Sequence, residues 1–142
     1  MLKAVQKLKR ILLVDDDPIS IFLTSAYLKD LRIGEHIEVA GNGLEALKAI
    51  QSDCSTPSGF EDSCPDLLLL DLNMPLMDGF EFLEHYQRAG YFDKWQTKII
   101  ILTSSKASRD LEKAKAYPID GYLLKPITEN ELLEVINKEF EE

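Results

Sequence analysis

Residues able to do chemistry stand wherever a short apolar run of this chain stops. Asp15 and Asp16 follow Ile11 to Val14, Asp71 follows Leu67 to Leu70, Thr103 and Ser104 follow Ile99 to Leu102, and Lys125 follows Tyr122 to Leu124. The remaining run, Ile37 to Ala40, is followed only by Gly41 and Asn42. Three carboxylates brought to one place repel one another, at about 4 kcal/mol per pair for a separation of ~4 Å and an effective dielectric of ~20. Such a cluster raises its pKa values or recruits a cation. Hard oxygen donors suit Mg2+, which takes one or two carboxylates together with waters and phosphate oxygens. A carboxylate nucleophile, a metal ion, a hydroxyl donor and an ammonium group together support phosphoryl transfer.

Each of these residues also has a plainer role. Aspartates at strand ends cap the helices that follow, and Asp17 before Pro18 is read in that way. Thr103 alone could be a turn residue, and Lys125 alone a solvated one. The chemical reading rests on all four strand ends pointing to the same reaction.

The elements that must position these groups alternate along the chain. Ile11 to Val14, Ile37 to Ala40, Leu67 to Leu70, Ile99 to Leu102 and Tyr122 to Leu124 read as strands. Runs apolar on both faces belong to strands covered on both sides, the mark of a parallel sheet. Between them, Ile19, Phe22, Leu23, Ala26 and Tyr27 recur at helical spacing, as do Leu44, Leu47 and Ile50, and then Phe80, Leu83 and Tyr86. Leu111 and Ala114 make a weaker helix ended by Pro118. Leu132, Leu133, Ile136 and Phe140 form the last, with Thr128 as N-cap and Glu131 three residues on. Five βα units predict an α/β domain, a doubly wound (βα)5 fold with a five-stranded parallel sheet in the flavodoxin-like order 2-1-3-4-5. That order sets the first and third strands side by side. Ligands of such sheets bind beyond the carboxyl ends of the strands, so the carboxylates would meet at one edge with Thr103 and Lys125 opposite.

Residues 1–9 read as a short basic leader and 10–142 as the domain. Ser52 to Pro65 reads as a surface loop holding both cysteines, Cys54 and Cys64, which are expected to be free thiols. With 142 residues, there is room for one domain. The net charge of −9 argues against direct nucleic-acid binding, which needs a basic footprint. No apolar run approaches the roughly 20 residues of a membrane span, and no signal-peptide core follows the basic leader, so a cytoplasmic location is expected. His36, His85 and Trp95 read as ordinary packing or edge residues.

Four segments, in this order and spacing, are specific to one family. They are Ile11 to Pro18 (ILLVDDDP), Asp66 to Pro75 (DLLLLDLNMP) with Met77-Asp78-Gly79, Ile101 to Ser105 (ILTSS), and Gly121 to Pro126 (GYLLKP). The chain resembles the receiver domains of two-component response regulators, and most nearly the stand-alone chemotaxis type, over roughly residues 9 to 141. The resemblance implies that Asp71 takes a phosphoryl group from a histidine kinase or phosphotransfer protein. It implies that Asp15, Asp16, Asp71 and the backbone carbonyl of Asn73 hold Mg2+, that Lys125 pairs with the phosphoryl group, and that the Lys125–Pro126 bond is cis. Thr103 and Tyr122 match the hydroxyl and the aromatic that move together on switching. The readout would be the surface of the fourth helix, fifth strand and fifth helix, which in the family binds a protein target or a second receiver, so a phosphorylation-dependent dimer is one implied outcome. The only catalysis expected is self-phosphorylation and slow loss of the phosphoryl group.

Two departures stand out: the Ser52 to Pro65 loop is long, and Pro118 replaces a usual glycine after the fourth helix. Two rival readings stand beside this one. A haloacid-dehalogenase-type phosphatase uses a similar set, but wants a second aspartate where this chain has Asn73. A phosphorylation-independent receiver-like module usually lacks one of the acids, the acceptor or the lysine, all of which this chain keeps.

Overall fold

The computed structural model describes residues 8–54 and 64–140. Five strands, β1 (Arg10–Val14), β2 (His36–Ala40), β3 (Leu67–Leu70), β4 (Lys98–Thr103) and β5 (Gly121–Leu124), form one parallel sheet in the order β2-β1-β3-β4-β5. The helices are α1 (Pro18–Asp30), α2 (Gly43–Cys54), α3 (Gly79–Arg88), α4 (Tyr91–Lys94), α5 (Ser108–Lys115) and α6 (Glu129–Glu139). Both the fold class and the strand order agree with the sequence reading. α4 is an additional single turn that the sequence reading lacked, so the expected fourth and fifth helices are α5 and α6.

The uniform apolar runs have a direct cause. All four leucines of β3 are buried, because α2 and α3 cover one face of the sheet while α1 and α6 cover the other. Leu12, Val14, Leu68, Leu70, Ile99 and Ile101 face the first layer, where Phe82, Leu83 and Tyr86 of α3 pack. Ile11, Leu13, Leu67, Leu69, Ile100 and Leu102 face the second, with Leu28, Leu132 and Ile136. Leu8 is buried in that second layer, so the core begins inside the stretch read as a leader; residues 1–7 lie outside the described residues.

Helix starts are fixed by side chains. Asp17 caps α1 by accepting from Ile19 N–H at 3.1 Å. Asp78 with Glu81 and Thr128 with Glu131 form capping boxes on α3 and α6, satisfying backbone donors that would otherwise be orphaned. Asn42 Oδ1 accepts from Glu45 N–H at 2.9 Å, and Glu45 Oε1 accepts from Gly41 N–H at 3.0 Å.

Two expectations need correction. The apolar positions that recur at helical spacing along α1 are not its buried face: Ile19 is 70% exposed and Phe22 71%, Leu23 and Ala26 are exposed, Tyr27 is half-buried against the second layer, and the helix buries Thr24 and Leu28. α1 carries apolar residues on most of its circumference, so periodicity alone could not choose the inward face. The cysteines are not free. Cys54 is the last residue of α2, which extends past Ser52, and it is disulfide-bonded to Cys64. Counting cysteines could not reveal that the helix end and the approach to β3 meet. Residues 55–63 of the expected loop lie outside the described residues.

Candidate phosphoacceptor site

β1 and β3 are neighbours, with Val14 opposite Leu70. The ladder continues one step further, through Asp71 N–H to Val14 O at 2.9 Å and Asp15 N–H to Ala40 O at 3.0 Å. Asp15 and Asp71 therefore leave the sheet side by side, both buried, with Asp16 exposed beside them. One oxygen from each of Asp15, Asp16 and Asp71 lies within 4.8 Å of the others.

β5 delivers the counter-charge from the far side of β4. Lys125 N–H donates to Thr103 O at 2.7 Å, and the Lys125–Pro126 peptide is cis. Its ammonium donates to Asp15 Oδ2 at 2.7 Å and stands 3.5 Å from Asp71 Oδ2. Asp15 is further held by Ser20 Oγ, which donates to Oδ2 at 2.8 Å, and by Asp17 N–H, which donates to Oδ1 at 3.0 Å. Asp71 has less support: Asn73 N–H lies 3.4 Å from its Oδ1. Burial, opposed by the Lys125 ammonium and reinforced by Asp15, pushes the Asp71 carboxyl up to about 6.

Close backbone approach shapes the loop from Asp71 to Asp78, the candidate acceptor loop between β3 and α3. Gly79 N–H donates to Leu72 O at 3.0 Å, and a Cβ there would lie 2.5 Å from Asp71 O. Gly43, at the start of α2, donates to Met77 O at 2.8 Å, and a Cβ would lie 2.9 Å from that same oxygen. Between these contacts Leu76 sits at φ 66° and is 83% exposed, an apolar side chain held in a backbone region that bulky residues avoid.

Thr103 ends β4 fully buried, its Oγ1 accepting from Ser105 N–H at 3.2 Å. Ser105 Oγ donates to Asp110 Oδ2 at 2.5 Å, tying this loop to α5. Tyr122 is half-buried, its hydroxyl 3.5 Å from Ser105 O. The structure thus brings Asp15, Asp16, Asp71 and Lys125 into one cluster and places Thr103 and Tyr122 on the adjacent loop. Asn73 lies exposed in the acceptor loop. Sequence reasoning missed Ser20 and Ser105; a serine inside a helix or turn carries no signal that it reaches an aspartate, Asp15 for Ser20 and Asp110 for Ser105. Other acids resolve as structural: Asp66 Oδ2 accepts from Lys9 and Arg10 N–H at 2.7 and 3.1 Å, and Asp78 caps α3.

The donor set fits a hard divalent cation. Asp15 and Asp71 divide the Lys125 ammonium between them, Asp16 adds a third carboxylate to the cluster, and its exposure keeps one side open to solvent.

Comparison with known proteins agrees with this geometry. A family model described as "Response regulator receiver domain" matches residues 11–137. Over 129 residues the chain is 30% identical to the Regulator of RpoS of Escherichia coli, covering 90% of this chain and 34% of that protein. A two-component response regulator from Cytophaga hutchinsonii superposes with a TM-score of 0.81 at 29% identity, covering 96% of this chain and 99% of that one. The chemotaxis response regulator CheY4 of Vibrio cholerae gives 0.74 at 28% identity, covering 93% and 98%. The chain spans about a third of the length of the E. coli relative and 7% of a hybrid histidine kinase from Dictyostelium discoideum. No helix among the described residues is long and apolar enough to cross a membrane. A parallel 2-1-3-4-5 sheet, an acidic cluster beyond β1 and β3, and a family match across nearly the whole chain identify it as a member of the response regulator receiver domains, which are signalling modules and not enzymes.

Proposed function

We propose that Asp71 is the phosphoacceptor of a two-component phosphorelay, loaded from the phosphohistidine of a histidine kinase or phosphotransfer protein. The observation that carries this reading is the sharing of one ammonium, that of Lys125, by two buried carboxylates beside an exposed third. A nucleophilic carboxylate must be ionised, and a carboxyl at about 6 is mostly ionised at neutral pH. An Asp71 oxygen attacks phosphorus, the P–N bond to the donor imidazole breaks, and the imidazole keeps the electron pair and takes a proton. Asp15, Asp16, Asp71 and the backbone carbonyl of Asn73 would hold Mg2+, which when bound supplies charge neutralisation for the phosphoryl oxygens. Lys125 exchanges its contact with the free Asp71 carboxylate for one with the phosphoryl group, while Ser20 and Asp17 N–H keep Asp15 in place.

The phosphoryl group adds about −1.5 to −2 charge and new acceptor oxygens. The Thr103 hydroxyl, whose oxygen accepts from Ser105, still has its hydrogen to donate. Turning it toward the phosphoryl group draws Ser105 along, and with it α5 through Asp110 and the neighbouring Tyr122 hydroxyl. Reversing a 1:99 equilibrium takes about 5.5 kcal/mol, within reach of several charge-assisted bonds. The switched surface is α5-β5-α6, and its partner is a downstream protein or a second receiver. The exposed Ile19, Phe22 and Leu23 on α1, which starts beside Asp16, together with Leu76 in the acceptor loop, offer an apolar footing for the phosphodonor. The setting is the cytoplasm, where such relays run.

Intact-protein mass after incubation with Mg2+ and acetyl phosphate tests the reading. One added phosphoryl group is expected, absent without Mg2+ and absent in Asp71→Asn. A wild-type protein that takes up neither phosphoryl nor beryllofluoride would leave the phosphorylation-independent interaction module as the better account.

A further inference from the structure

The Cys54–Cys64 disulfide sits at one end of a helix whose other end abuts the acceptor loop. Cys54 closes α2, and Cys64 immediately precedes Pro65 and Asp66, from which β3 departs toward Asp71. At its start, α2 is pinned through Gly43 N–H to Met77 O at 2.8 Å, with no room for even a Cβ. Met77 belongs to the loop that carries Asp71 and Asn73. The bridge therefore fixes the position of α2 along the sheet, and α2 in turn supports the acceptor loop.

A second observation concerns the thiol form. Thr97 Oγ1 donates its hydrogen to Pro65 O at 2.7 Å and lies 3.9 Å from Cys64 Sγ. With that hydrogen committed, an oxygen lone pair remains for the sulfur. A disulfide has no hydrogen to place there, whereas the S–H of a reduced Cys64 does. The site thus accommodates both oxidation states.

We propose that Cys54 and Cys64 form a reversible redox switch on the receiver, closed by a low-molecular-weight disulfide of the glutathione class and coupled through α2 to phosphoryl turnover at Asp71. In the closing reaction a Cys64 thiolate attacks the external disulfide, forming a mixed disulfide and releasing one thiol. Cys54 then attacks Cys64 Sγ, releasing the second. Two protein thiols are oxidised, one external disulfide is reduced to two thiols, and the protons pass to the departing thiolates. Intracellular disulfides in most organisms are transient and redox-sensing, which fits a couple that opens and closes in a cytoplasmic relay. The coupling rests on the reading of Asp71 as phosphoacceptor.

The test equilibrates the whole chain with mixtures of reduced and oxidised glutathione, then follows thiol alkylation and phosphoryl uptake from acetyl phosphate by intact mass in the same spectra. The expected result is a reversible gain and loss of two hydrogens across the series. The phosphoryl lifetime should differ between the two forms by about fivefold or more, the low end of ordinary site-to-site coupling. The double variant Cys54→Ser/Cys64→Ser, which has no thiol left to form even a mixed disulfide, should keep the reduced form's phosphoryl lifetime in every mixture. Cysteines that alkylate throughout the series, or oxidised and reduced forms with the same phosphoryl lifetime, would overturn the switch. A protein that cycles its disulfide yet takes up no phosphoryl group in either form would overturn the Asp71 reading and the coupling with it.

Discussion

The two ends of the sheet use the same side chains to opposite purpose. At the amino ends of the strands, Asp66 Oδ2 accepts from Lys9 and Arg10 N–H, Asp120 Oδ2 accepts from Ile99 N–H at 2.8 Å, and Thr97 Oγ1 donates to Pro65 O. Each of these groups is matched to a backbone partner across the sheet. At the carboxyl ends, Asp15 and Asp71 are more deeply buried than Asp66 and divide one ammonium between them, with Asp16 adding a third negative charge nearby. An acid that satisfies backbone donors holds the fold together. An acid crowded by others of its kind is held in deficit, and the deficit is what a cation and a phosphoryl group can use.

Substitutions at the two ends should therefore separate activity from stability. The largest effect is expected for Lys125→Ala. Removing a preorganised cation from a site of developing charge typically costs about 10²–10³ in rate, and the rate of adduct formation from acetyl phosphate, followed by intact mass, measures it. A decline no greater than that seen for an exposed control such as Lys94→Ala would remove Lys125 from the chemistry. Next comes Asp66→Ala at the other end. It removes the charged acceptor of two backbone N–H groups, one of them exposed to water, at about 1–2 kcal/mol of stability. Urea unfolding should show the loss while phosphoryl uptake keeps its rate; reduced uptake with unchanged stability would contradict the division between the two ends. A smaller effect is expected from pH. With the Asp71 carboxyl at about 6, protons compete with Mg2+ below that value, so the apparent affinity should fall about tenfold per unit as pH drops beneath 6. Calorimetric titration with MgCl2 at several pH values measures it, and Asp71→Asn should flatten the profile.

The contrast between the two ends also marks what the sequence could tell. The strands were legible because each is buried on both faces, which leaves uniform apolar runs such as Leu67–Leu70. Asp15, Asp16, Asp71, Thr103 and Lys125 were legible because parallel topology sends every strand end to one rim. Asp66 and Asp71 bracket the same four leucines, and nothing in composition separates the acid that accepts backbone donors from the one that joins the acidic cluster; the sheet topology does. The inward face of α1 was illegible because Ile19, Phe22 and Leu23 are as apolar as Leu28, and only packing chose among them. α4 follows a left-handed Gly90 and is held by Tyr91, Phe92 and Trp95 packing around Tyr86, tertiary contacts with no local periodicity. The Cys54–Cys64 bridge depends on where a helix end meets a strand start, which spacing alone does not fix.

The smallest effect has the most diagnostic sign. Burial raises the Asp71 carboxyl from 3.8 in the unfolded chain to about 6 in the folded one, so the folded state binds that proton more tightly. The stability this group contributes is complete below pH 3.8 and is lost as pH rises through about 6. Asp71→Asn removes the titration and leaves a neutral side chain of the same shape. The variant should match the wild type in acid and become the more stable of the two above pH 6. Solvent screening reduces the difference to about 1 kcal/mol, a rise of about 2–6 °C in Tm for a chain of this length. Saturating Mg2+ should erase or reverse it, because the ion stabilises only the protein that keeps its carboxylate. Melting curves at pH 4 and pH 8, with and without Mg2+, give the four values needed. A variant less stable than the wild type at pH 8 without metal would mean that Asp71 is a structural acid like Asp66, and the distinction between the two ends of the sheet would fall.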